Sequence, residues 1–174
     1  MKSRPQKDQY YLNIAQEVAT RGTCLRVSIG TVIVRDDQVV ATGYAGAPRK
    51  TKDCVERGGC LRDQLNIPHG QRYELCRSCH AEMNAIINSA RAGVSLLNGD
   101  IFLHAVNREG KLINAFPCFI CKKMIINAGL NRVICSTKDG NYKVFKVEDW
   151  VKEWQEKDIV DDSTQYGVDQ KIKT

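Results

Sequence analysis

Two short clusters constrain this chain more than anything else in it: His80-Ala81-Glu82 and, about 35 residues later, Pro117-Cys118-Phe119-Ile120-Cys121. Each stands where a helix is predicted to open. Residues 81–92 (AEMNAIINSARA) carry helical spacing with Gly93 placed as a C-terminal cap, and CFICKKMIINA follows Pro117 and stops at Gly129. Cys118 and Cys121, three apart in a first turn, point the same way, and a helix N-terminus favours the thiolate form. His80 occupies the matching place on its own helix, where the positive dipole favours a neutral imidazole. One imidazole and two thiolates give zinc three protein ligands and leave a fourth tetrahedral position for water, whereas a structural zinc is normally closed by four. Glu82 is then the candidate base and proton carrier. Any fold that uses all four residues must bring two helix N-termini to one point.

The remaining patterns suit such a fold. Residues 7–20 place Tyr10, Tyr11, Ile14, Ala15 and Val18 at amphipathic-helix spacing, ending at Gly22. Two β-branched runs, Thr31 to Val34 and Val39 to Thr42, flank the turn pair Asp36-Asp37 and predict an antiparallel hairpin. Ile101-Phe102-Leu103 and Arg132 to Cys135 read as strands, and Glu148 to Glu156 as a last helix. Strands alternating with helices after residue 95 predict an α/β layer structure with a mixed sheet. The chain is long enough for one core, so residues 1–157 are expected to form a single domain, with 158–174 a flexible tail. Neither a signal-peptide core nor a long apolar stretch stands out, which predicts a cytoplasmic protein with no membrane partner. An excess of 26 Lys and Arg over 20 Asp and Glu suits an anionic small ligand and is too mild to mark a protein that coats nucleic acid, which argues against nucleic acid as a partner.

The pairing of His-x-Glu with Pro-Cys-x-x-Cys matches the general pattern of zinc deaminases. The wider strings ELCRSCHAEMNAIINSA and PCFICKKMIINAGLNRVI resemble the deoxycytidylate deaminase branch of the cytidine deaminase superfamily, and the likeness runs over about residues 8–146. The resemblance implies a cytidine deaminase-like three-layer α/β/α fold with a mixed five-stranded sheet. It further implies a catalytic zinc, a homo-oligomer such as a hexamer, and hydrolysis of free dCMP to dUMP and ammonia, with regulation by dCTP and dTTP. The string Thr23 to Gly30 matches the same branch and makes Arg26 and Ser28 candidate nucleotide ligands; a guanidinium can grip phosphate with paired hydrogen bonds. Gly43-Tyr44-Ala45-Gly46-Ala47-Pro48 resembles the family's Gly-Tyr-Asn-Gly loop, so Tyr44, Ala45 and Gly46 are candidate substrate contacts. Ala45 stands where the family has an asparagine whose amide meets the sugar. The link Ala105 to Ala115 is also longer than the family's.

Cys24, Cys54, Cys60 and Cys76 remain, the last three close to His69 in a region (48–78) too aperiodic to order itself by packing alone. They are candidate ligands of a second, structural zinc, which the resembling branch also carries. Cys79, Cys135 and His104 are expected to be packing residues. Competing readings are a deaminase of another cytosine nucleotide, a transfer-RNA adenosine deaminase, a riboflavin-pathway deaminase, and a catalytically idle zinc-stabilised nucleotide-binding module. The intact Glu82 argues against the last.

Overall fold

Successive side chains of a strand point to opposite faces, and in this chain both faces are apolar, so the sheet must be covered on each side. The structure, a computed structural model, describes residues 4–68 and 70–157. Its sheet contains β1 (Val27–Arg35), β2 (Gln38–Tyr44), β3 (Asp100–Asn107), β4 (Arg132–Ser136) and β5 (Tyr142–Lys146), in the order β2-β1-β3-β4-β5. Only the β3–β4 pair is parallel. Helix α1 (Lys7–Ala19) covers one face, where Tyr11, Leu12 and Ala15 pack against Val32, Val34, Phe102 and Ile134. The intervening residues Ile33, Ile101, Leu103, Val133 and Cys135 face the other way, into a second core. That core is closed by α3 (Ala81–Ala92), α4 (Phe119–Asn127) and α5 (Val147–Glu156), through Ala85, Ile125 and Trp150. The result is the expected three-layer α/β/α arrangement around a mixed sheet.

The predicted hairpin turns at Asp36 and Asp37, both in the left-handed region (φ 51° and 62°), as a two-residue connection matching strand twist requires. Local sequence pattern misses β5. Its residues are half-exposed at the sheet edge, and Lys143 and Lys146 interrupt any apolar run. The long link after β3 folds back on that strand: Ile113 N–H donates to the Ala105 carbonyl, and Gly110 turns the chain at φ 75°.

Among its described residues, region 48–78 holds only one helical turn, α2 (Leu61–Gln64), and a 3-10 turn at Tyr73–Leu75. Three guanidinium groups tie its loops to backbone carbonyls: Arg26 to Ile67, Arg62 to Pro68 and Arg77 to Gly59. Such charge-assisted bonds supply order that apolar burial does not. No helix among the described residues is long and apolar enough to cross a membrane. The tail expected at 158–174, and His69, lie outside the described residues.

Candidate active site

His80 and Cys118 are the N-cap residues of α3 and α4, and Cys121 lies in the first turn of α4. Both helices pack on the same side of the sheet, so their N-termini meet. His80 Nδ1 lies 3.4 Å from Cys118 Sγ and 3.3 Å from Cys121 Sγ. The three donor atoms fall within 4.8 Å of one another, the one such group among the described residues. A nitrogen and a sulfur at normal zinc-ligand lengths and a tetrahedral angle sit about 3.5 Å apart, so the set fits one zinc ion without rearrangement.

The protein groups already favour ligation at Cys118. Its thiol is drawn down to about 4, chiefly by the hydrogen bond from Cys121 and then by His80, against the opposing effect of burial. Cys121, which donates that bond and is fully buried, is held well above the ordinary thiol range. Burial disfavours a charged His80, but the adjacent Cys118 outweighs it and raises the imidazole. Glu82, 4% exposed in the first turn of α3, is raised by burial and shares a hydrogen bond with the Cys121 thiol. A raised carboxyl beside a metal-binding cluster can both accept and return a proton near neutrality.

Gly43 on β2 lets α3 come this close. A Cβ there would lie 2.3 Å from the Ala81 carbonyl oxygen and 2.4 Å from the Ala85 nitrogen. The adjoining loop is locked to the ligand segment by a two-way backbone pair, Gly46 with Cys79, and by Asn84, whose amide donates to the Tyr44 carbonyl.

A cavity opens from His80 and Glu82. Of the substrate residues nominated by sequence, Arg26 and Ala45 line it, whereas Ser28, Tyr44 and Gly46 do not. Strand alternation explains Ser28: its neighbours Val27 and Ile29 face the cavity, so its own side chain points away. Tyr44 instead borders a separate groove with Arg49, Asn88 and Arg91. Arg26 is already engaged, its Nε donating to Asp63 at 2.7 Å and its Nη2 to the Ile67 carbonyl at 2.9 Å.

Cys24, Cys54, Cys60 and Cys76 all line the same cavity. Cys54 is raised, first by burial, with Cys60 and Cys24 adding to it and the Arg77 hydrogen bond opposing. These four form no metal-sized group among the described residues. Sequence reading missed Arg62, Tyr73 and Phe116, which also line the cavity. Arg62 and Tyr73 sit in the aperiodic segment, where no spacing signal singles them out. Tyr73 sets its ring edge against His80, with centroids 4.7 Å apart, and burial raises its hydroxyl to about 12.

Residues 5–137 match the cytidine and deoxycytidylate deaminase zinc-binding region. The chain is 34% identical over 137 residues to the deoxycytidylate deaminase of Mycobacterium phage D29, covering 76% of this chain and 95% of that one. It is 32% identical over 134 residues to the deoxycytidylate deaminase of Schizosaccharomyces pombe, covering 77% of this chain but 38% of the yeast protein. The chain thus spans little more than a third of that relative's length. In fold it resembles the dCMP deaminase of cyanophage S-TIM5, with a TM-score of 0.54 at 22% identity over 75% of this chain and 82% of that one. A matched zinc-binding region, a shared fold and a donor cluster of zinc-site dimensions lead to one conclusion: this chain belongs to the cytidine and deoxycytidylate deaminase family.

Proposed function

We propose that His80, Cys118 and Cys121 hold one zinc ion and that the chain hydrolytically deaminates free dCMP to dUMP and ammonia. The observation that carries this reading is the buried Glu82 carboxyl beside the three-donor cluster, at the floor of a cavity. Bound there, zinc supplies Lewis acidity that lowers the pKa of a water molecule toward neutrality. Glu82 takes the proton that water loses as its oxygen bonds to C4 of the cytosine ring, and delivers it to ring N3. It then moves the proton of the new C4 hydroxyl to the exocyclic nitrogen, so the C4–N bond breaks as the C4 carbonyl forms and ammonia leaves. Tyr73 and the apolar walls exclude bulk water from the ring. Support for the nucleotide comes from relatives named deoxycytidylate deaminase. Arg26 and Ala45 border the site; Ser28, Tyr44 and Gly46 act by shaping the strand and loop that carry them.

A second zinc held from among Cys24, Cys54, Cys60 and Cys76 is part of the same proposal. Four cysteines lining one cavity, three of them in a segment with little regular structure, are its support. Residues 1–157 are read as one deaminase domain working in the cytoplasm as a homo-oligomer such as a hexamer. Incubating the zinc-loaded protein with cytosine nucleotides, nucleosides and a transfer RNA, while following ammonia and product mass, tests the function. Conversion of dCMP supports it; conversion of folded RNA alone refutes it. Metal analysis of the same sample is expected to give two zinc ions per chain, and one per chain removes the second site.

A further inference from the structure

The active-site cavity is bordered by a buried cation that makes no close ion pair among the described residues. Arg62, on α2, is 4% exposed and is one of the residues lining the cavity that reaches His80 and Glu82. Nη2 donates to the Pro68 carbonyl at 2.9 Å, and the guanidinium carbon lies 4.9 Å from the centre of the Tyr73 ring. Nε has no hydrogen-bond partner among the described residues. Buried donors are normally satisfied, and buried charges normally paired, so each exception calls for an explanation. The acids around Arg62 are engaged by other guanidinium groups: Glu74 accepts from Arg72, the first cause of its lowered pKa, to which the Arg62 charge also contributes. Asp63 accepts from Arg26 at 2.7 Å and from Arg108 at 3.2 Å.

Ser78, on the same cavity, also has a buried hydroxyl without a partner among the described residues. Two unmatched polar groups, one of them charged, therefore belong to residues that border a ligand-accessible cavity. Their complement is an anionic acceptor brought in from outside. Tyr73 gives the spacing: Arg62 stacks on its ring while His80 meets its edge. The guanidinium thus stands one aromatic ring away from the three-donor cluster, a separation comparable with that between the base and the 5′-phosphate of a nucleotide.

We propose that Arg62 recognises the 5′-phosphate of the substrate and sets the preference for nucleotide over nucleoside, with Arg26 already neutralised by Asp63. A planar guanidinium presents paired donors to phosphate oxygens, and burial strengthens that contact relative to one in open water. The inference rests on the deaminase reading for the identity of the base, but phosphate recognition is measurable without turnover.

The test compares the zinc-loaded full chain with R62Q and R62K. Steady-state kinetics are taken with dCMP and deoxycytidine, and calorimetric affinities with dUMP and deoxyuridine. R62Q is expected to raise KM for dCMP and Kd for dUMP by roughly 10- to 100-fold, the range for losing a charge-assisted hydrogen bond. The nucleoside values are expected to stay within about twofold. R62K keeps the charge without the fork and is expected to lose about tenfold on the nucleotides only; it decides the matter if R62Q does not fold. Nucleotide and nucleoside weakening together, or an unchanged ratio between them, overturns the proposal and leaves Arg62 as a strap for its loop. Phosphate-dependent dUMP binding that is lost in R62Q, in a protein that deaminates nothing, upholds the Arg62 assignment while refuting the deaminase reading.

Discussion

Two glycines press helices onto the sheet with equal closeness, but only one of those helices carries site residues, and the contrast gives a sharp test of how the site is held. A Cβ on Gly43 would lie 2.3 Å from the Ala81 carbonyl oxygen, 2.4 Å from the Ala85 nitrogen and 2.9 Å from the Ala85 Cα. On Gly30 it would lie 2.1 Å from the Ala15 carbonyl oxygen and 2.4 Å from the Ala19 nitrogen. All these neighbours are backbone, so no side chain can rotate away. Contacts settle near 3.5 Å, so each helix must retreat by about 1 Å. Overpacking of this kind costs about 1–3 kcal/mol, and at this chain length that lowers Tm by roughly 3–10 °C in either G30A or G43A. Beyond stability the two diverge. In G43A the retreat displaces His80 and Glu82 relative to Cys118 and Cys121, which ride on α4; a 1 Å misplacement of reacting groups costs on the order of 100-fold in turnover. In G30A the displaced helix is α1, across the sheet, and zinc affinity and turnover stay near wild type at temperatures where the variant is folded. Melting curves, zinc titration against a chromophoric chelator and ammonia release measure the three quantities. Equal damage to zinc binding and turnover in both variants, or none in G43A, would falsify the claim that strand–helix closeness at Gly43 sets the site geometry.

Glu82→Gln is expected to lower kcat by roughly 100- to 10,000-fold while zinc content stays at the wild-type value, because an amide keeps the volume but carries no proton; loss of metal in that variant contradicts the role assigned to Glu82. Asp63 is drawn below the ordinary carboxylate range, first by its hydrogen bond from Arg26, with burial opposing and Arg108 adding to the effect. Its folded pKa lies below its unfolded one, so its contribution to stability is fully present above about pH 4 and is lost as pH falls through the folded value. The stability gap between wild type and D63N, read from urea melts, is therefore expected to narrow on acidification below about pH 4, and also in 1 M salt because the carboxylate is partly exposed. A gap that widens on acidification refutes the pairing.

Local chemistry made much of this protein legible in its sequence. His80, Glu82, Cys118 and Cys121 are readable because each cluster couples its ligands to a helix start, and a helix start fixes side-chain direction within one turn. Periodic stripes with start and stop residues placed α1, α3, α4 and α5, and β-branched runs placed β3, β4 and, around the Asp36-Asp37 turn, the β1–β2 hairpin. Tertiary structure decided the rest, wherever the deciding partner is remote in sequence. Strand β5 is an edge strand defined by its neighbour β4 and not by its own residues. Ser28 was nominated by resemblance, but the strand's alternation turns it away from the cavity that Val27 and Ile29 face. Arg26 and Arg62 look alike in one dimension; folding gives the first a hydrogen-bonded carboxylate and leaves the second buried with an unpaired Nε among the described residues. A sequence states which groups carry charge, but whether that charge is satisfied depends on distances that only the folded chain defines.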